Sequence, residues 1–318
     1  MLAADITLRR AILTESNGST DQALLRRPLT IETLLIPLLT RPRIAQVIKY
    51  TVYFSLVVNF GLYIVYDYLA YRSALPANAP LTDIVQQFST SIDMAAWLGL
   101  VFLFELETYA LPDEAFDGWI PKALHSARVI CYISIGFAAY GYTVESLENF
   151  DVAAVAGVSN ICELADQGAH LQTDVINYQE ITSENCSDLS PDSEFYRIAN
   201  EVSVVDASTL KHLQWMGWID IDNAYVWIIV VLLIEFEVWL QATDRFSSRM
   251  LTTTRQAKTF FYLALIVNGF IWMWTHYWLY AWDAFLWIFG FWAIELNLAE
   301  WEQDRLEELR AAHAARRR

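Results

Sequence analysis

Three glutamates stand at equivalent positions inside long apolar runs of this 318-residue sequence: Glu105, Glu235 and Glu295. An ionised carboxylate is costly in apolar surroundings, so it must be protonated, hydrated, bound to a cation or paired with a base. These residues therefore indicate proton or cation binding, or ion pairs that hold helices together.

The glutamates belong to a pattern that occurs three times without gaps. Each copy opens with Asp or Asn, has Trp four residues later and reaches its glutamate after eight more: Asp93, Trp97 and Glu105; Asn223, Trp227 and Glu235; Asp283, Trp287 and Glu295. We expect the first position to cap a helix and the Trp to lie at the bilayer interface. Glu107 and Glu237 follow two residues after their glutamates and point about 200° away around a helix, so they face other neighbours.

Six apolar runs are long enough to cross about 30 Å of hydrocarbon as helices. They are 48–70, 93–111, 127–147, 223–242, 259–280 and 283–301. Hydrophobic residues make up 55% of the chain, with 13 Trp, 16 Tyr and 17 Phe, a composition that suits membrane interfaces. The sequence thus predicts an all-α integral membrane protein with six transmembrane helices, arranged as three repeated hairpins in a pseudo-threefold bundle.

Basic residues are segregated along the chain. In a six-span arrangement, 18 of the 21 Lys and Arg fall on one side of the membrane, and the exceptions are Arg72, Arg197 and Lys211. The positive-inside rule therefore predicts cytoplasmic N- and C-termini, in what we expect to be a bacterial inner (plasma) membrane.

The long connection 149–222 holds 13 acidic and two basic residues, and it also contains Cys162 and Cys186. A disulfide between these cysteines fits a small extracytoplasmic subdomain in an oxidising compartment. Its acidity either gathers cations near an entrance or keeps the loop soluble.

The predicted organisation runs in seven parts. They are an N-terminal cytoplasmic segment with an interfacial amphipathic stretch (1–46), hairpin 1 (47–111), a connection with the first helix of hairpin 2 (112–148), the acidic disulfide loop (149–222), the second helix of hairpin 2 (223–242), hairpin 3 (259–301) and a charged C-terminal cytoplasmic helix (302–318).

Two interpretations of the glutamates remain open. In one, they pair with the basic residues at the inner ends of the odd-numbered spans, Lys49, Arg128 and Lys258, and lock the bundle. In the other, they converge on a cation or proton path, with Asn59 and Asn268 as neutral oxygen donors.

The sequence contains no catalytic motif that we can identify, and we expect no enzyme activity, cofactor, bound transition metal or nucleic-acid partner. The expected partners are the lipid bilayer, cations or protons, and a second copy or another subunit. The leading hypothesis is a small cation or proton channel or transporter. The alternative is a non-transporting membrane subunit, sensor or scaffold.

Overall fold

The computed structural model describes residues 42–106, 118–192, 194–198, 201–242 and 248–291. Several predictions lie outside these residues: the amphipathic stretch before residue 42, Glu107, Glu295 and the C-terminal charged helix. The described chain falls into two compact units, 59–261 and 42–58 with 262–291.

The described structure is mostly helical. The helices are α1 (Pro42–Ala74), α2 (Leu81–Gln87), α3 (Ser89–Glu105), α4 (Ile120–Glu148), α5 (Cys186–Leu189), α6 (Ala207–Ala242), α7 (Ser248–Trp274) and α8, which is described over 278–291. At about 1.5 Å per residue, α1 is about 50 Å long, which exceeds the thickness of the hydrocarbon core.

Three helical segments within the described residues are long and apolar enough to cross a membrane, which confirms part of the prediction. They are Gln46–Ala74, Ile120–Glu148 and Thr252–Trp274. Helices α2 and α3 become a fourth if they count as one span, although they meet at a bend of 60°. The fourth predicted span lies within α6, and the sixth runs past residue 291; neither is among the three.

These three segments carry apolar side chains on an outward face. In α1 this face consists of four side chains at helical spacing, each 56–71% exposed: Val47, Tyr50, Phe54 and Val57. Equivalent exposed stripes follow α4 (Ile130, Ile133, Phe137 and Tyr140) and α7 (Phe260, Leu263, Val267 and Phe270). Apolar surface of this extent marks contact with a membrane or a partner.

The expectation of an all-α fold is wrong for the acidic connection, which contains a five-stranded sheet. The strands are β1 (Val152–Ala154), β2 (His170–Gln172), β3 (Tyr178–Glu180), β4 (Phe195–Ile198) and β5 (Val204–Asp206), in the order β1-β4-β5-β2-β3. Only β2 and β5 are parallel, with Leu171 opposite Val204. Strands of three or four residues are too short to show a clear period-two pattern in the sequence.

The two faces of the sheet bury different cores because side chains alternate along each strand. On one face Val204 and Leu171 pack in a core that includes Cys186. The predicted disulfide between Cys162 and Cys186 is confirmed and lies in this core. On the other face Val205 packs against the first turns of α6.

Helix α6 begins at Ala207, sixteen residues before the predicted span 223–242, because Asp206 caps it. The Oδ1 of Asp206 accepts a hydrogen bond of 2.7 Å from the backbone N–H of Thr209, as an N-cap side chain does. Ser190 donates to the other carboxylate oxygen at 2.6 Å. Residues 207–222 are therefore helical, whereas the sequence placed them in the loop.

In the second unit, α7 ends at Trp274, whereas the predicted span continues to residue 280. His276 adopts a left-handed conformation with φ 66°. The Tyr277 N–H donates to the Trp272 carbonyl at 2.9 Å, and the His276 N–H donates to the Met273 carbonyl at 3.3 Å. These two bonds form a Schellman motif, which stops α7 and allows α8 to start.

Candidate functional site in the packed helices

Helix α4 packs against both α3 and α6, the helices that carry Glu105 and Glu235. Two glycines allow this close approach. A Cβ on Gly141 would overlap the Ser89 hydroxyl, and a Cβ on Gly217 would lie 2.8 Å from the Cβ of Ser146. Small residues at helix crossings let polar groups on neighbouring helices reach one another.

Glu235 contacts α4 through a tyrosine. The Tyr132 hydroxyl donates a hydrogen bond of 2.9 Å to Oε1 of Glu235. Arg128, one turn before Tyr132, is buried and interacts electrostatically with the same tyrosine. Arg128, Tyr132 and Glu235 therefore form one polar group between α4 and α6.

Glu237 takes part in an ion pair. Its Oε2 lies 2.6 Å from the Nζ of Lys258 in α7, and both side chains are 13% exposed. Lys258 is one of the predicted basic partners, and here it contacts the position two residues after Glu235.

The remaining predicted residues occupy separate places. Glu105 is the last residue of α3 and is partly buried. In the second unit the Lys49 ammonium lies 5.9 Å and 5.8 Å from the ring centres of Tyr50 and Tyr53. The two candidate neutral oxygen donors, Asn59 and Asn268, are both buried.

The opening residues of the first two copies do not cap their helices, so that expectation is wrong for them. Asp93 is the fifth residue of α3, and Asn223 lies deep inside α6. Asp93 instead accepts hydrogen bonds from the Trp97 indole at 3.1 Å and from the Tyr142 hydroxyl at 3.5 Å. The Asn223 Oδ1 is buried without a hydrogen-bond partner among the described residues.

The tryptophans of the repeat are buried, so their rings do not face outward as those of interfacial anchors would. The rings of Trp97 and Trp227 lie 6.1 Å apart, centre to centre, at an angle of 59°. Aromatic pairs at this separation contribute about 0.5–1.5 kcal/mol beyond the burial of their area. In the first two copies, the Trp position therefore joins α3 to α6.

Sequence reasoning missed one buried carboxylate, Asp67 of α1. Its Oδ2 accepts hydrogen bonds from the Ser91 hydroxyl at 2.6 Å and the Ser91 backbone N–H at 2.9 Å. A single Asp within the first apolar run was the available signal, since such residues in membrane helices are rare and usually functional.

The acid–tyrosine contacts occupy two levels of α4. Tyr142 meets Asp93 and Tyr132 meets Glu235, and ten residues of helix place these contacts about 15 Å apart along α4. Carboxylates with hydroxyl neighbours at both levels are suited to proton exchange or weak cation binding.

The chain matches no known family model, no curated protein and no solved structure.

Proposed function

We propose that the chain is a multi-pass protein of the bacterial inner membrane, with six spans in three repeated hairpins and both termini in the cytoplasm. The exposed apolar stripes on α1, α4 and α7 support membrane insertion. The distribution of basic residues supports the orientation. The disulfide supports an extracytoplasmic position for the sheet.

Labelling tests the orientation in intact cells with a thiol reagent that does not cross membranes. A cysteine replacing the exposed Ser183 of the sheet subdomain should react. A cysteine replacing the exposed Arg255 should react only after the membrane is opened. The reverse pattern contradicts the orientation.

The function that the geometry supports best is the binding and passage of protons or small cations through the packed helices. The observation that carries this proposal is the pair of carboxylate–tyrosine contacts at two levels of α4, Asp93 with Tyr142 and Glu235 with Tyr132. Carboxylates commonly carry protons and cations in membrane helices, because burial destabilises the ionised carboxylate and a bound proton or cation offsets its charge. The repetition of the glutamate position extends the same chemistry to Glu105 and Glu295.

Flux into liposomes that contain the purified chain tests this proposal. Glu235→Gln removes the charge but keeps the size of the side chain, and Tyr132→Phe removes only the hydroxyl that donates to it. Both should reduce proton or cation flux. Glu184→Gln, at an exposed position of the sheet subdomain, removes a charge equally and should leave flux unchanged.

A second function, a non-transporting subunit or scaffold, is favoured by the ion pair between Glu237 and Lys258. This ion pair has little exposure, with 2.6 Å between Nζ and Oε2, and it holds α6 against α7. Such a structural role requires no movement of ions across the membrane. This function predicts a folded, reconstituted protein without flux above empty liposomes. It also predicts that the chain is recovered together with a partner subunit from gently solubilised membranes.

A further inference from the structure

A small acidic cavity lies where the sheet meets the ends of α4 and α6. Its volume is about 30 Å³, which has room for an ion or a few water molecules. One face of α4, one face of α6 and the helix side of the sheet contribute its lining, which comprises Tyr142, Glu145, Ser146, Glu148, Asn149, Gln172, Val175, Ile198, Glu201, Leu213, Gly217 and Asp220.

The charges around the cavity are of one sign. Four carboxylates and no basic side chain are among the described residues that line it. Glu145 interacts electrostatically with Asp220, Glu201 and Glu148, and also with Asp67 of α1. Such crowding disfavours full ionisation unless a proton or a cation offsets it.

Glu201 shows the effect of this environment directly. Burial, with a contribution from the charge of Glu148, raises the pKa of Glu201 to about 7, although a hydrogen bond from the Ser203 hydroxyl favours the ionised form. This carboxylate therefore retains an affinity for positive charge close to neutral pH.

Gln172 provides an independent sign of a ligand. It is the last residue of β2, it is 6% exposed, and it lines the cavity. Its Oε1 is buried with no hydrogen-bond partner among the described residues. A buried carbonyl oxygen without a partner is destabilising, and amide oxygens are good ligands for hard cations.

We propose that this cavity binds a hard divalent cation of the calcium class, with the amide oxygen of Gln172 and the surrounding carboxylates as ligands. Among the described residues, no three acidic, imidazole or thiol side chains are gathered tightly enough to coordinate one ion together. The cation therefore contacts Gln172 and one or two carboxylates directly, and reaches the others through water. Calcium accepts this mixture because its six to eight oxygen ligands need no fixed geometry.

The site would connect the subdomain to the helices, since α4, α6, β2 and the segment after β4 all contribute to it. It goes beyond the proposed transport function, because binding here requires neither a gradient nor passage across the membrane. A divalent cation would offset the mutual repulsion of the carboxylates and give Gln172 a partner.

Equilibrium dialysis with radioactive calcium tests the site on the full chain, purified in detergent with its disulfide intact, at pH 8. We expect one saturable site per chain with a Kd on the order of 10⁻⁴–10⁻³ M, the range of extracellular calcium modules. Glu201→Gln and Gln172→Leu should each weaken binding by about tenfold or more. Glu184→Gln should leave the Kd unchanged.

Three results would overturn the proposal: no saturable binding by the wild-type chain, equal Kd values for the wild type and both cavity variants, or equal weakening by Glu184→Gln. Glu201→Gln removes a charge that burial disfavours, so it should fold at least as well as the wild type. If the chain binds calcium but shows no flux in liposomes, the calcium site is supported and only the transport function is contradicted.

Discussion

Replacing Gly217 with alanine should destabilise the protein, although glycine-to-alanine changes normally stabilise helices. The added Cβ would lie 2.8 Å from both Cβ and Oγ of Ser146 and 3.3 Å from its Cα. Carbon atoms prefer about 3.5–4.0 Å, so α4 and α6 must separate by several tenths of an ångström. The hydrogen bond of 3.0 Å from the Ser146 hydroxyl to the Gly217 carbonyl would be strained as well.

The magnitude follows from three contributions. Alanine gains about 1 kcal/mol over glycine in a helix interior. Overpacking costs about 1–3 kcal/mol, and loss of the serine hydrogen bond costs about 1 kcal/mol. The net effect of Gly217→Ala is therefore a loss of about 1–3 kcal/mol in the free energy of unfolding.

Gly136→Ala provides the matched control, because nothing lies within 4 Å of a Cβ at that position of α4. This variant should gain up to about 1 kcal/mol. Unfolding of wild type and both variants in the same detergent, followed by far-ultraviolet circular dichroism, gives the comparison. Equal stabilisation by the two substitutions would refute the close approach of α4 and α6 at Gly217, and with it the shape of the cavity beside it.

Three further predictions concern single contacts. Lys258→Ala and Glu237→Ala should each lower the free energy of unfolding by about 2–4 kcal/mol. The double variant should lose at least about 1 kcal/mol less than the sum of the two single losses. Additive losses in this double-mutant cycle would contradict the ion pair. Burial raises the pKa of Glu201 from 4.5 to about 7, so the folded chain holds a proton that the unfolded chain releases. The contribution of Glu201 to stability should then fall by about 3 kcal/mol as the pH rises through that interval, and Glu201→Gln should make the pH slope of the unfolding free energy shallower by about that amount. Equal slopes for the wild type and the variant would count against the burial of this carboxylate. His276→Gly should raise the melting temperature, because glycine relieves about 1 kcal/mol of strain at the left-handed end of α7, and a lower melting temperature would speak against the Schellman motif.

The sequence predicted what depends on long, local patterns. Apolar runs of about 20 residues predicted the spanning segments of α1, α4 and α7, because the mean hydropathy of a whole helix depends little on any single residue. Two cysteines in one acidic connection gave the disulfide, because few pairings were available. Lys258 was identified as a basic partner, but the sequence could not show that the glutamate it meets is Glu237.

The errors arose where one residue in a particular tertiary setting decides the structure. Asp206 starts α6 far ahead of the apolar run, and a single capping carboxylate is a weak signal in a loop rich in acids. His276 stops α7 inside a continuous apolar run, where no glycine or proline marks the end. The Trp97 and Trp227 rings turn inward because the helices bring them together, which composition alone cannot reveal.

The candidate site was predicted only in part. Glu235 was identified from the repeat, but its tyrosine partner lies 103 residues earlier in the chain. The acidic cavity was not predicted, because its carboxylates come from α4, α6 and the segment after β4. In the sequence Glu201 and Asp220 look like the solvated charges of a loop, and Glu145 and Glu148 stand at the end of an apolar run.

The most direct test of the proposed function is flux in liposomes that contain the folded, disulfide-intact chain, with proton, sodium and potassium gradients applied in turn. We expect flux above that of empty liposomes for at least one of these ions. This flux should be lost in the triple variant Glu105→Gln, Glu235→Gln and Glu295→Gln. Wild-type flux no greater than that of empty liposomes, or full flux in the triple variant, would contradict the transport function.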